Sequence, residues 1–95
     1  MKRVVITGAG TINALGHNVA DTMAAMAAGR CGIGPLDIRD VDRLSVKIGG
    51  QVRGYDESAH FNRQQIALYD LFTQFALLAA GQAITQSGLE FAGEL

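Results

Sequence analysis

The chain has 95 residues, enough for one domain at most. It is 48% hydrophobic and 18% charged with a net charge of −1, which excludes a disordered tail and leaves no basic run for nucleic acid. Cys31 is its one cysteine. An internal disulfide and a cysteine-based metal site are therefore excluded, and a reducing cytoplasm is the expected setting.

Lys2 and Arg3 precede Val4, Val5 and Ile6, but the apolar run breaks at Thr7 and Gly8, too early for the core of an export signal. Val4-Val5-Ile6 is β-branched without alternation. It predicts a strand buried on both faces, as in parallel sheets. Gly8 and Gly10 end it, and the turn runs on to Leu15-Gly16. Asn18 is a good N-cap, with Asp21 three residues later, for a helix from Val19 to Ala28. Val19, Met23, Met26 and Ala27 form one apolar stripe on it. Gly29 is placed to stop the helix in the left-handed conformation. Gly32 to Leu36 reads as a turn and an extended piece, and the alternating charges of Asp37 to Arg43 as exposed loop. Val46, Ile48 and Val52 alternate with polar or small residues. That predicts a half-covered strand, with Gly49-Gly50 marking a bulge or a close neighbour. Gly54 to His60 is a polar connection.

The last stretch predicts one long helix from Arg63 to Ser87. Asn62 with Gln65 resembles a capping box, and Phe61 and Ile66 occupy the two staple positions. Gly88 can close the helix, with Leu89 folding back on Ile84 in Schellman fashion. At 1.5 Å per residue the helix would be roughly 36 Å long, against a radius of gyration of about 12 Å for a compact chain this size. Leu68, Leu71, Phe72, Phe75, Ala76, Leu78, Ala79, Ala80, Ala83 and Ile84 leave only a thin polar stripe of Asp70, Thr73, Gln74, Gln82 and Thr85. Polar residues interrupt the run too often for a membrane span. A helix apolar nearly all round belongs inside a large core, which two short strands and one short helix cannot supply. The expectation is that these residues are part of something larger, either the remainder of the same domain or a tight partner.

Candidate chemistry is sparse. A dinucleotide fingerprint needs G-x-G-x-x-G leading directly into a helix. Gly8 and Gly10 fit, but Asn13 stands at the third glycine position, the next glycine is Gly16, and the helix starts only near Val19. Glycines that permit close packing of strand and turn are the reading adopted. Cys31 follows a helix C-terminus, where the dipole disfavours a thiolate, and reads as a packed or surface thiol. His17 and His60 are isolated loop residues without partners at metal-ligand spacing. Asp40 and Asp42 belong to a solvated loop. No catalytic, cofactor-binding or metal-binding residue is assigned, and no cofactor is implied.

The order of the pieces carries more. Arg3-Val-Val-Ile-Thr-Gly-x-Gly is followed by Leu15-Gly16 and by a short helix ending Ala28-Gly29-Arg30-Cys31-Gly32-Ile33. Then come Ile48-Gly49-Gly50-Gln51-Val52, Asp70-x-Phe72-Thr73-Gln74-Phe75-Ala76, and Ser87-Gly88-Leu89. Over nearly the whole chain this resembles the amino-terminal start of a β-ketoacyl-acyl-carrier-protein synthase, most of all the synthase II branch. The resemblance implies an α/β class and the thiolase-like fold, in which two similar halves pack as five layers, α-β-α-β-α. Residues 1–95 would be an incomplete first half. It further implies an acyltransferase of fatty-acid or related lipid or polyketide synthesis that works as a cytoplasmic homodimer with acyl carrier protein. The family's nucleophilic cysteine, two histidines and oxyanion hole lie beyond these residues, and Cys31 does not match the nucleophile. One departure bears on the partner. Relatives carry several basic residues at the start of the long helix, where the acidic carrier protein docks. Here Arg63 is followed by Gln64-Gln65-Ile66-Ala67-Leu68. This leaves open a non-catalytic, ketosynthase-like partner subunit of the chain-length-factor type. A nucleotide-binding α/β module is a third reading.

Overall fold

The computed structural model describes residues 2–90; Met1 and residues 91–95, within the expected 1–95 segment, lie outside the described residues. The element order is α1 (Val19–Ala27), β1 (Ile33–Pro35), β2 (Ile48–Gly50), α2 (Arg63–Leu68) and α3 (Leu71–Ser87). Single 3-10 turns at Val41–Arg43 and Glu57–Ala59 punctuate the loops.

Local capping chemistry sets the ends of the helices. The Asn18 side chain accepts from the Asp21 amide at 2.8 Å and starts α1. At the other end Gly29 has φ +73°. Its amide donates to the Met26 carbonyl, and the Arg30 amide to that of Ala25, the paired bonds of a Schellman stop. The capping box of Asn62 and Gln65 is complete in both directions. Gly88 ends α3 with φ +69°. The Schellman closure expected there is modified by Ser87. Its hydroxyl donates to the Ile84 carbonyl at 2.8 Å and accepts from the Leu89 amide at 3.2 Å, standing between the two groups that would otherwise meet.

The sheet is one short antiparallel pair. Ile33 faces Gly50, Gly34 faces Gly49, and Pro35 faces Ile48. Two strands of this length are marginal by themselves, and side chains staple them. The Gln51 amide group bonds both the N–H and the carbonyl of Asp37, at 2.7 and 2.9 Å, and Arg53 donates to the Pro35 carbonyl at 2.7 Å. The expected strand from Val46 to Val52 is thus cut to its centre. The Gly49 reading of a close neighbour fits, since a Cβ there would sit 3.0 Å from Leu36.

Three expectations are corrected. Val4-Val5-Ile6 is not a buried strand. No described strand runs beside it, and Val4 and Ile6 are 95% and 90% exposed. Its residue types favour a strand, but a strand needs a neighbour. Second, the apolar stripe of α1 faces outward, because Val19, Met23 and Met26 are exposed while Ala25 is the buried residue. Third, the long helix is broken between α2 and α3. Tyr69 is extended at φ −101°, ψ 126°, and Asp70 follows at φ −66°, ψ 162°. The Gln74 side chain, on the first full turn of α3, donates to the Tyr69 carbonyl at 3.1 Å, in place of a helical amide.

The exposure of α3 agrees with the expectation that the short elements here cannot cover it. The face it turns to the rest of the chain carries glutamines. Gln74, Gln82 and Gln86 recur at multiples of four and so share one face. The Gln82 side chain accepts from the Thr11 amide at 3.1 Å and donates to the His17 carbonyl at 2.7 Å. Gln86 accepts from the Ala9 amide at 2.8 Å. Leu71, Phe72, Leu77 and Ile84 are exposed. Among the described residues only Ala25 and Gln74 are fully buried. The radius of gyration is 16.6 Å, against about 12 Å for a compact chain of this length. The accessible surface is 7765 Å2, where a compact protein of this mass would expose about 5200 Å2.

The extended N-terminal segment reaches α3 because it has glycine at the points of contact. A Cβ at Gly8 would fall 2.1 Å from the Ala83 carbonyl oxygen, and one at Gly10 would fall 1.9 Å from that of Ala79. Both obstacles are backbone and cannot turn aside. Gly10→Ala is therefore predicted to lift the segment off α3 and to cost about 1–3 kcal/mol. Denaturant titration would measure the loss, with faster hydrogen exchange at the Thr11 amide as the local sign.

Candidate functional site

The glycine turn is built by Asn13. Its side-chain oxygen accepts from the amides of Leu15 at 2.8 Å and Gly16 at 3.2 Å, and its amide nitrogen donates to the hydroxyls of Thr11 and Thr22 at 3.0 Å. The Asn13 amide itself donates to the Gly16 carbonyl at 2.9 Å. A phosphate cradle depends on free, convergent backbone N–H groups. Here the amides of Ala9, Thr11, Asn13, Leu15 and Gly16 already donate within the chain. Gly16 lies against Asp21 and Thr22 at the start of α1, within 2.9 Å of where its own Cβ would be. The turn thus packs against α1, and these five amides are not free for a phosphate.

The polar cluster with the most connections centres on Tyr55. Its hydroxyl donates to Gln74 Oε1 at 2.6 Å, and Gln74 Nε2 donates to Glu57 Oε2 at 3.1 Å. His60 stacks on the Tyr55 ring, with centroids 5.7 Å apart and planes 7° from parallel. Phe75 and His17 meet the same ring edge-on, at 5.0 and 6.4 Å. His17 also bonds the Arg53 carbonyl through Nε2 at 2.6 Å. The two histidines expected to be isolated therefore converge on one tyrosine, which no spacing in the sequence indicates. Leu71 and Phe75 close one side of an open cleft, and Arg53, Tyr55, Asp56, Glu57 and Asp37 line the other.

The electrostatics are modest. Partial burial pushes the Tyr55 phenol above its ordinary value of 10.0, with the Glu57 and Asp56 carboxylates adding to the effect. Asp56 is held below the usual carboxylate value by the hydroxyl and amide of Ser58, which bond it at 2.6 and 3.1 Å. Neither group faces a nucleophile. Cys31 is exposed, and its Sγ points toward the Ile33 carbonyl at 3.9 Å without a base beside it. Asp40 and Asp42 are exposed, and Asp40 pairs with Arg39 across 4.0 Å of solvated loop. Among the described residues no group of three His, Cys, Asp or Glu side chains is disposed to hold a metal ion. None of the helices among them is long and apolar enough to cross a membrane. Arg63 opens α2 in an exposed position, with uncharged residues on the turn that follows.

The two best-connected pieces are a glycine-bearing segment laid on a helix and a tyrosine-centred polar hub. Residues 1–92 match the family model for the amino-terminal domain of beta-ketoacyl synthases. The chain belongs to the β-ketoacyl synthase family. Among its curated relatives, 3-oxoacyl-[acyl-carrier-protein] synthase 2 of Coxiella burnetii is 38% identical over 94% of this chain and 22% of the relative. The proteins of that name from Synechocystis and Vibrio cholerae are 35% and 34% identical over 93% and 94% of the chain. The chain spans about a fifth of the length of these relatives.

The fold favours the neutral Tyr55 phenol, since its folded value is raised. That contribution to stability is complete below pH 10.0 and is lost as pH rises through the raised folded value. Thermal melts across the alkaline range should show the loss, and Tyr55→Phe should remove this part of it.

Proposed function

We propose that the chain is the amino-terminal part of a β-ketoacyl-acyl-carrier-protein synthase of fatty-acid or related lipid or polyketide synthesis. It would form part of the first half of a five-layer thiolase-like fold, in a cytoplasmic enzyme that works as a homodimer. The family match over residues 1–92 carries this reading. In the reaction, a cysteine thiolate takes an acyl group from its carrier thioester. Malonyl-carrier protein then loses carbon dioxide, and the resulting carbanion attacks the acyl thioester and expels the cysteine. Hydrogen-bond donors aimed at the developing oxyanion lower the barrier. The described residues contain no such constellation, so the nucleophile and its partners would lie outside them, and Cys31 would take no part.

The outward apolar faces support the same reading. Phe72 is 73% exposed, and Val4, Ile6, Leu71 and Ile84 are also open to water. Surface of this kind is the pattern of a core that other parts of a protein cover. The occupied amides of the glycine turn argue against the nucleotide-binding alternative.

A second reading has its own observation. At the start of α2 only Arg63 is basic, Gln65 is engaged in the capping box, and Ile66, Ala67 and Leu68 carry no charge. A thin positive patch slows association with an acidic carrier protein. This favours a ketosynthase-like partner subunit that keeps the fold without the chemistry.

Acyl transfer tests both readings. The full-length protein carrying this segment is expected to form one covalent acyl-cysteine adduct, detected by mass spectrometry, and to condense it with malonyl-carrier protein. Cys31→Ser should leave the adduct unchanged, and residues 1–95 alone should turn nothing over. A full-length protein that takes up no acyl group supports the partner subunit. Turnover by the segment alone would refute both.

A further inference from the structure

We propose that the buried Gln74 side chain is a latch that keeps one helix-forming stretch in two pieces and so sets the direction of α2. On local grounds the break is unfavourable. In an unbroken helix the amides of Asp70, Leu71, Phe72 and Thr73 would bond the carbonyls of Ile66, Ala67, Leu68 and Tyr69. In the broken form the first backbone bond of α3 runs from the Gln74 amide to the Asp70 carbonyl at 3.0 Å, and Asp70 makes no side-chain cap bond. The residues on either side form helix readily, and neither glycine nor proline interrupts residues 63–80.

The Gln74 side chain supplies the opposing force. It is 1% exposed, and every buried side-chain polar atom among the described residues has a partner. One N–H of the amide donates to Glu57 Oε2 and the other to the Tyr69 carbonyl, each at 3.1 Å, and Oε1 accepts from the Tyr55 hydroxyl at 2.6 Å. The Tyr69 carbonyl is the group that Thr73 would need in a continuous helix. Closing the helix would strip a buried amide of that bond, and an unpaired buried amide is costly. The latch thus ties the direction of α2, with Arg63 at its exposed start, to the Tyr55–Glu57 loop. Phe61 and Tyr69 support the same geometry through an edge-on contact at 5.9 Å.

The charged and titratable groups facing the latch are Glu57, Tyr55 and, stacked beyond Tyr55, His60. The mechanism requires only the two N–H donors of Gln74 and no change of charge. It is independent of the enzymatic reading.

Gln74→Met keeps the length of the side chain and removes both donors. In the 95-residue chain, carbon chemical shifts of Tyr69 and Asp70 are expected to move from extended to helical values. The amides of Leu71, Phe72 and Thr73 should exchange about tenfold more slowly as each gains a helical bond. Gln74→Leu, which also lacks the donors, should do the same and replaces the methionine variant if that one fails to fold. Tyr55→Phe leaves both donors in place and should keep the break. The proposal is overturned if Tyr69 and Asp70 stay extended without the Gln74 donors or if Tyr55→Phe closes the break. It is also overturned if the unaltered chain is helical through 69–70, or lacks helix on both sides of it.

Discussion

The structure depends on the direction in which α3 turns its glutamines. Gln74, Gln82 and Gln86 face the chain's own backbone, and each bonds backbone groups there. Buried or half-buried amides and carbonyls must find partners. The segment from Ala9 to His17 forms no ladder with any described strand, and side chains supply partners for part of it. Gly8 and Gly10 permit the approach, since any side chain there would meet the carbonyls of Ala83 and Ala79. Leu71, Phe72, Leu77 and Ile84 of α3 are left pointing outward.

This arrangement separates two jobs that one helix usually combines. An isolated domain turns apolar residues inward, because burial of apolar surface is the main driving force of folding. Here the inward contacts include three glutamines that hydrogen-bond the chain, each bond worth on the order of 1 kcal/mol net. The larger hydrophobic gain is still to be made, on the outer face of α3, along Val4-Val5-Ile6 and on α1. The chain spans about a fifth of its relatives' length, and its apolar faces are exposed.

Local chemistry was legible in the sequence, and long-range chemistry was not. Asn18, the Asn62–Gln65 box, Gly29 and Gly88 act within a few residues, and each marks a helix end as expected. The break at Tyr69–Asp70 has no comparable local signal. It lies beside Gln74, whose side chain bonds Tyr55 and Glu57, 19 and 17 residues away in sequence. Apolar counts identified α3 as a helix needing cover, but they could not say which face its own chain would take. The convergence of His17 and His60 on Tyr55 depends on the packing of separate loops. The strand signal of Val4-Val5-Ile6 describes backbone preference alone, whereas pairing depends on neighbours that the described residues lack. For the glycine turn, the sequence already pointed away from a phosphate. Asn13 stands where the fingerprint needs glycine, and it is the residue that occupies the amides.

The central claim is that α3 offers its polar face to its own chain and leaves its apolar face uncovered. Small-angle X-ray scattering of the 95-residue chain, extrapolated to zero concentration and paired with binding of a hydrophobic dye, tests it most directly. The structure predicts a radius of gyration near 16.6 Å and strong dye binding. A compact particle of about 12 Å that binds no dye would mean that the chain covers its own helix, and would contradict the account.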